Sequence, residues 1–485
     1  MLSEMFLHEG LALTDGEHGV TYAELSIIVG EISAQLRASG AKTVGIALDN
    51  SPLWGALDLA VLHAGLVCVP LPSFFSPSQL AHVIRDSGID TILTDRPEFF
   101  LELGLATGQT IWREHCCKSY AEIPVHEAAC ANVPLGTVKI TYTSGTTGSP
   151  KGVCLDLSSI EAVVRSLLQA SRAHAHDRYL SILPLSTLLE NIGALYVSLL
   201  AGATGHFLSS HEVGLKGAAS LDIEKMAMAL SMQRATCTIL TPQLLQGFAG
   251  YLESSLLDLP ELRFVAVGGA PVSKHLLEKS AALGLPVFEG YGLSECASVV
   301  SLNTPTSHKY GSAGKPLPHV DLKFAEDGEI LVKGPVLLGY CGKPSFDRNG
   351  YWPTGDTGYL DEEGFLNLTG RKKNIFITSF GRNVAPEWVE KELTAHPAIR
   401  QAAVFGEGRP WNVAVIVTRE HGDVEDAVRQ ANASLPDYAR IGKWLVADEP
   451  FLPENGQSTA NGRLKREVIW PVYRGKIETL YGEAL

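Results

Sequence analysis

The chain has 485 residues, enough for about three domain-sized units with large cores. Its 45% hydrophobic and 8% aromatic content is that of a globular protein, and a net charge of −14 with no compensating basic stripe argues against nucleic acid as the main partner. Eight cysteines, at 68, 116, 117, 130, 154, 237, 296 and 341, form no CxxC pair, which points to reduced thiols in a cytoplasmic protein and away from a structural zinc site.

The first ten residues, MLSEMFLHEG, lack the basic start and apolar core of a signal peptide. Ser51-Pro52 predicts the cap and first turn of a helix through Leu57 and Val61, which Gly65 ends before a buried strand over 66–69. This is the most apolar stretch of the chain, but Asp58, His63 and Gly65 interrupt it, so it predicts no membrane span. Further along, Val138, Ile140 and Tyr142 alternate with Thr137, Lys139 and Thr141, the period of a half-buried strand.

Residues 142–153 read YTSGTTGSPKGV, and a second short strand is expected over 153–155. Glycine lets a backbone turn its N–H groups toward an anion, hydroxyls add neutral donors, and Lys151 adds a mobile charge. The pattern predicts a polyphosphate-holding loop anchored by strands at both ends. It is not a Walker A loop, because the spacing to its Gly-Lys pair is wrong. Ser158 with Glu161 then predicts a capping box opening a helix.

A strand over 262–267 turns through Gly268, Gly269, Ala270 and Pro271 into a helix capped by Ser273, and a strand over 287–289 repeats the design at Gly290-Tyr291-Gly292. Alternating helix and strand periods mark α/β layering. Near 370 the texture changes: Gly370 to Asn374 is a basic, polar break. After it come a helix from Pro386, paired strands over 402–405 and 413–417, and a helix over 423–433. The expectation is a large multi-sheet α/β domain over 1–370 and a small mobile α+β domain over 371–485.

Three local patterns carry bland readings. Gly292 to Cys296 imitates a nucleophile elbow but ends in cysteine where glycine belongs. His174-Ala175-His176-Asp177 reads as a polar turn rather than a metal site. Gly268-Gly269 is no dinucleotide fingerprint, since GxGxxG is absent.

YTSGTTGSPKGV (142–153), EGYGLSE (289–295), YWPTGD (351–356), GRKKNIFITSFGRNVAP (370–386) and TANGRLKR (459–466) occur in this order. With them the chain resembles the acyl-adenylate-forming, AMP-binding synthetases over nearly its full length. LPLSTLLEN (183–191) and the form of 370–386 look most like the long-chain fatty acyl-CoA synthetases. The resemblance implies two steps: a carboxylate attacks the α-phosphate of ATP, giving acyl-AMP and pyrophosphate, and a thiol then takes the acyl group after the small domain rotates.

By that resemblance Thr143, Ser144, Gly145, Thr146, Thr147, Gly148 and Lys151 would hold the phosphates, and Glu295 with Thr143 would hold Mg²⁺. Gly269, Ala270, Pro271 and the run Glu289, Gly290, Tyr291, Gly292, Leu293, Ser294 would surround the nucleotide, with Tyr291 against adenine. Asp356 would take the ribose hydroxyls, Arg371 the ribose or phosphate, and Lys373 the hinge. Two positions depart from the family pattern. Thr187 stands where a histidine or aromatic residue commonly helps orient the carboxylate. Arg463 stands where the family has its catalytic lysine, with Lys465 two residues on and, in an extended segment, on the same side.

The expected activity is ATP- and Mg²⁺-dependent ligation of a hydrophobic carboxylic acid, a fatty acid by branch resemblance, to CoA. Alternatives within the resemblance are an acyl- or aryl-acid ligase loading the phosphopantetheine of an acyl carrier protein, a β-lactone-forming synthetase, and an inactive nucleotide-binding relic.

Overall fold

The computed structural model describes residues 1–106, 110–125, 132–143, 150–216, 220–255, 257–270, 272–419, 422–459 and 462–482. Two large sheets dominate the N-terminal domain. In the nine-stranded sheet, Val287–Tyr291, Phe264–Val267, Cys237–Leu240, Arg178–Leu180, Thr204–His206 and Leu11–Thr14 run parallel side by side. In the eight-stranded sheet, Lys151–Leu155, Lys139–Thr143, Val67–Pro70, Thr43–Ala47 and Thr91–Thr94 are consecutive neighbours.

The helix Pro52–His63 lies between these sheets. Ser51 accepts the Trp54 N–H as its cap, Pro52 occupies the first turn, and every side chain from Pro52 to Leu62 is buried. Contact with strands of both sheets explains why this segment needs no polar face. No helix among the described residues is long and apolar enough to cross a membrane.

Two sequence expectations change. The strand Lys139–Thr143 is buried on both faces rather than half-buried, because layers cover the sheet on each side; Lys139 and Thr141 are 1% and 5% exposed. The helix Leu157–Ser171 is capped by Asp156, whose carboxylate accepts the Ser159 N–H, and not by Ser158. Arg348 bonds Asp156 as well, while Glu161 turns outward to Arg165 instead of back to a cap. The turn His174–Asp177 is the polar turn expected, with the His174 N–H donated to Asp177. None of the described cysteines is in a disulfide.

A four-stranded antiparallel sheet, Asp321–Phe324, Glu329–Lys333, Trp352–Leu360 and Leu366–Arg371, follows. Beyond it a small α+β domain packs the strands Ile399–Phe405, Asn412–Thr418 and Ile441–Val446 against the helices Pro386–Thr394, Val424–Ser434 and Arg466–Leu480.

Candidate active site

The strands Lys139–Thr143 and Lys151–Leu155 form an antiparallel hairpin with Thr143 opposite Lys151. Both residues line a cavity of about 430 Å³. The hairpin thus brings the two ends of the glycine-rich segment together at the cavity; Ser144, Gly145, Thr146, Thr147 and Gly148 themselves, like Pro271, lie outside the described residues.

The opposite wall comes from the strand Val287–Tyr291 and the turn after it. Gly292 is required there, because a Cβ would run into the Ser298 carbonyl oxygen. Leu293, Ser294 and Glu295 line the cavity together with Gly269, Gly290 and Tyr291. The Tyr291 hydroxyl donates to Asp356 at 2.8 Å, and Arg371 Nε meets the other Asp356 oxygen at 2.6 Å. Three residues far apart in sequence are therefore one cluster, with Asp356 only 6% exposed. Ala270 and Glu289 face an adjoining cavity of about 290 Å³ at the domain interface. Burial pushes the Glu289 carboxyl up to about 7, with Lys391 pulling the other way.

Four cations line the larger cavity: Lys151, Arg371, Lys373 and Arg463. Lys151 Nζ stands 5.9 Å from the centroid of the Tyr340 ring, and the Tyr340 hydroxyl donates to Glu295 at 2.8 Å. Burial, then the charges of Arg371 and Arg463, hold the Lys373 ammonium below its ordinary value. Burial and Arg371 do the same to Arg463, against the pull of Asp356, Glu387 and Glu295. Cations crowded along one cavity favour an anion there.

Arg463 reaches this mouth because Gly462, at φ +75°, turns the chain against Gln243 of the N-terminal domain. Lys465 lines neither cavity; its N–H is donated to the Gln457 carbonyl, and it caps the helix Arg466–Leu480. Beyond the turn at Gly462 the segment runs extended, with Leu464 bridged antiparallel to Ser458, until the helix begins at Arg466. Thr187 lines the cavity, with its hydroxyl donated to the Pro184 carbonyl at 2.8 Å.

Among the described residues no group of three or more His, Cys, Asp or Glu gathers as a metal cage. The oxygen donors at the mouth, the Glu295 carboxylate and the Thr143 hydroxyl, fit Mg²⁺, which keeps several waters and takes substrate oxygens.

Away from the mouth the cavity is mostly apolar, walled by Leu167, Val197, Ile239 and Phe264. One side is a π-helix, Asn191–Val197, in which Gly193 makes room: a Cβ there would sit 2.6 Å from Ile239 Cδ1. Behind the π-helix, fully buried Lys139 donates to Asp58 (2.5 Å), Asn191 (2.5 Å) and Tyr196 (2.7 Å), and Tyr196 also bonds Asp58. Sequence reasoning missed this network and Tyr340. Lys139 read as the polar face of a strand, and its partners lie 52 to 81 residues away. Tyr340 belongs to a two-residue strand too short to carry a period.

The family model for AMP-binding enzymes matches residues 8–341, and that for the AMP-binding enzyme C-terminal domain matches residues 373–485. The chain belongs to the AMP-binding enzyme family. A 2-succinylbenzoate–CoA ligase of Bacillus subtilis is 30% identical over 97% of this chain and 96% of its own length. A long-chain-fatty-acid–CoA ligase of Mycobacterium bovis is 26% identical over 89% of this chain and 86% of its own. The solved structure of the o-succinylbenzoate coenzyme A synthetase of Bacillus subtilis, in complex with ATP and magnesium ion, superposes with a TM-score of 0.75 at 28% identity, covering 96% of this chain and 98% of that one. Within the AMP-binding enzymes this chain is an AMP-forming acid–CoA ligase family enzyme.

Proposed function

We propose that this AMP-binding enzyme activates a hydrophobic carboxylic acid, a medium- or long-chain fatty acid, as acyl-AMP and passes the acyl group to CoA. The observation that carries the reading is one continuous cavity, cationic at its mouth and apolar in its depth. A triphosphate suits the first environment and an alkyl chain the second.

In the adenylating step a carboxylate oxygen bonds to the α-phosphorus while the bond to the bridging oxygen breaks and pyrophosphate leaves. Lys151 and Thr143 hold the leaving phosphates, Arg463 meets charge growing on the α-phosphate oxygens, and Thr187 orients the acid at the junction. Tyr291, Asp356 and Arg371 form the wall for adenosine, with Gly269, Ala270 and Glu289 beside it. Glu295 and Thr143 would hold Mg²⁺, which supplies charge neutralisation when bound.

In the second step a thiol sulfur bonds to the acyl carbon, AMP leaves, and the thiol proton passes to solvent. The small domain, taken as beginning near residue 371, pivots at Lys373 between the two steps. Arg463 at the mouth, with Phe380 of the 375–386 segment 75% exposed, suits the adenylating arrangement.

ATP–pyrophosphate exchange over a panel of acids, with mass detection of acyl-AMP and thioester, tests the reading. Aliphatic acids are expected to support exchange, and CoA to yield the thioester. Exchange with aryl acids alone, or transfer only to a carrier-protein phosphopantetheine, would replace it with those activities.

A further inference from the structure

The apolar region of the cavity follows the face of the nine-stranded sheet from one strand edge to the other. At the mouth it touches Val267 and Gly290, at the C-terminal ends of their strands; at depth it touches Cys237 and Phe264, the first residues of theirs, and Tyr179 in the middle of its short strand. Leu167 and Ser171, the last turn of the helix Leu157–Ser171, close the deep end from the other side. Beyond them stands Asp177, 3% exposed and itself on the cavity wall.

Asp177 presents no free acceptor geometry to a ligand. Its oxygens take Arg263 Nε at 2.6 Å, Arg263 Nη2, the Thr236 hydroxyl at 2.9 Å and the His174 N–H at 2.9 Å. Four donors use the capacity of one carboxylate. Arg263 Nη1 also donates to the Ser171 carbonyl at 2.9 Å and Nη2 to that of Arg172 at 3.2 Å, tying the end of the wall helix to the sheet edge. The Arg263 side chain is 27% exposed and does not line the cavity, so it faces outward while Asp177 faces inward. At this end Asp177 lines the cavity and its partner Arg263 reaches solvent.

We propose that the Asp177–Arg263 ion pair is the floor of the acyl cavity and sets the greatest acid length the enzyme accepts. The proposal rests on the functional reading above and adds its specificity determinant. An acid too long for the cavity must pull apart a pair of mutually satisfied charges at the buried end, which is costly. A shorter acid forfeits only dispersion contacts with the unfilled walls. The acceptance profile is therefore asymmetric, rising gradually with chain length and falling steeply past the limit.

The test is kcat/KM for pyrophosphate exchange across saturated straight-chain acids, in the wild type, Arg263→Ala and Ser171→Phe. Arg263→Ala opens the floor: the ratio of kcat/KM for the first excluded acid to that for the best acid rises about tenfold or more. Ser171→Phe fills the deep end and moves the limit the other way, cutting the same ratio for the longest accepted acids by a similar factor. Each readout is a ratio between acids on one protein, so incomplete folding of a variant cancels. If Arg263→Ala does not fold, Ser171→Phe alone decides. A limit unmoved in folded Arg263→Ala, or in Ser171→Phe where that variant alone folds, overturns the floor, while the wild type still turning over aliphatic acids keeps the functional reading. A wild type that accepts no aliphatic acid overturns that reading, and the floor with it.

Discussion

Arg463 lines the cavity mouth and Lys465 does not, so alanine at the two positions should have unequal effects. Arg463→Ala is expected to slow adenylation about a hundredfold, the usual cost of one preorganised donor, while thioester formation from supplied acyl-AMP persists. Lys465→Ala should change pyrophosphate exchange little, and the reverse order would reassign the cation. Glu295→Gln, which keeps the Tyr340 contact but removes a charge, should shift the Mg²⁺ titration to higher concentration; a superimposable titration would remove its metal role. Glu190 makes a pH prediction. Burial pushes its carboxyl up to about 8, against the pull of Ser181 and Tyr179, from an ordinary 4.5. Its protonated form contributes stability that is complete below pH 4.5 and is lost as pH rises toward 8, where the folded carboxyl itself ionises. Glu190→Gln removes this titration, so its unfolding free energy should fall less than that of the wild type between pH 5 and 8, a difference on the order of a few kcal/mol by chemical denaturation. Parallel pH slopes for the two proteins would clear Glu190 as the cause. Lys151, Glu295, Tyr291 and Asp356 were singled out because each sits in a short motif of the resembled family, and the structure gathers them around the adjoining cavities. That Arg463 rather than Lys465 lines the cavity was not legible, because it depends on how the turn at Gly462 sets the segment against Gln243.

The π-helix Asn191–Val197 is held to the strand Lys139–Thr143 and the helix Pro52–His63 by the Lys139–Asp58–Asn191–Tyr196 network. Gly193 and Val197 of that π-helix line the cavity while Lys139, Asp58, Asn191 and Tyr196 do not, so under the proposed function the network would position an acyl wall from behind. Lys139→Met would leave Asp58 buried without its cation, a loss of about 3–5 kcal/mol. Chemical denaturation measures this. KM for the acid should rise more than KM for ATP, and equal changes in both would mean that the network only stabilises the fold. The helices from Pro52 and Pro386 were readable from first-turn prolines, with a Ser51 cap for the first, signals that act within a single turn. The cap at Asp156 was missed because its choice over Ser158 involves Arg348, 192 residues away. A π-helix carries no period that the sequence advertises.

Across the whole molecule the candidate pivot sits between two anchored neighbours. Lys372 is fixed to the N-terminal domain by ion pairs to Asp327 (2.6 Å) and Glu329 (2.8 Å), and the Asn374 side chain bonds Glu387 of the small domain. Lys373→Pro, which fixes φ at the residue between them, should therefore impair thioester formation more than adenylation; equal losses would put the hinge elsewhere. The sequence by itself determined the α/β class, the small C-terminal unit and the family, because these follow from periodicity and from motifs whose residues act close together along the chain. Only the tertiary structure decided which cations share one cavity, that a buried ion network backs its apolar wall, and that Asp177 on that wall pairs with Arg263. Those are pairings between segments distant in the chain. Their partners are selected by burial and charge in three dimensions, and nothing local in the chain records the choice.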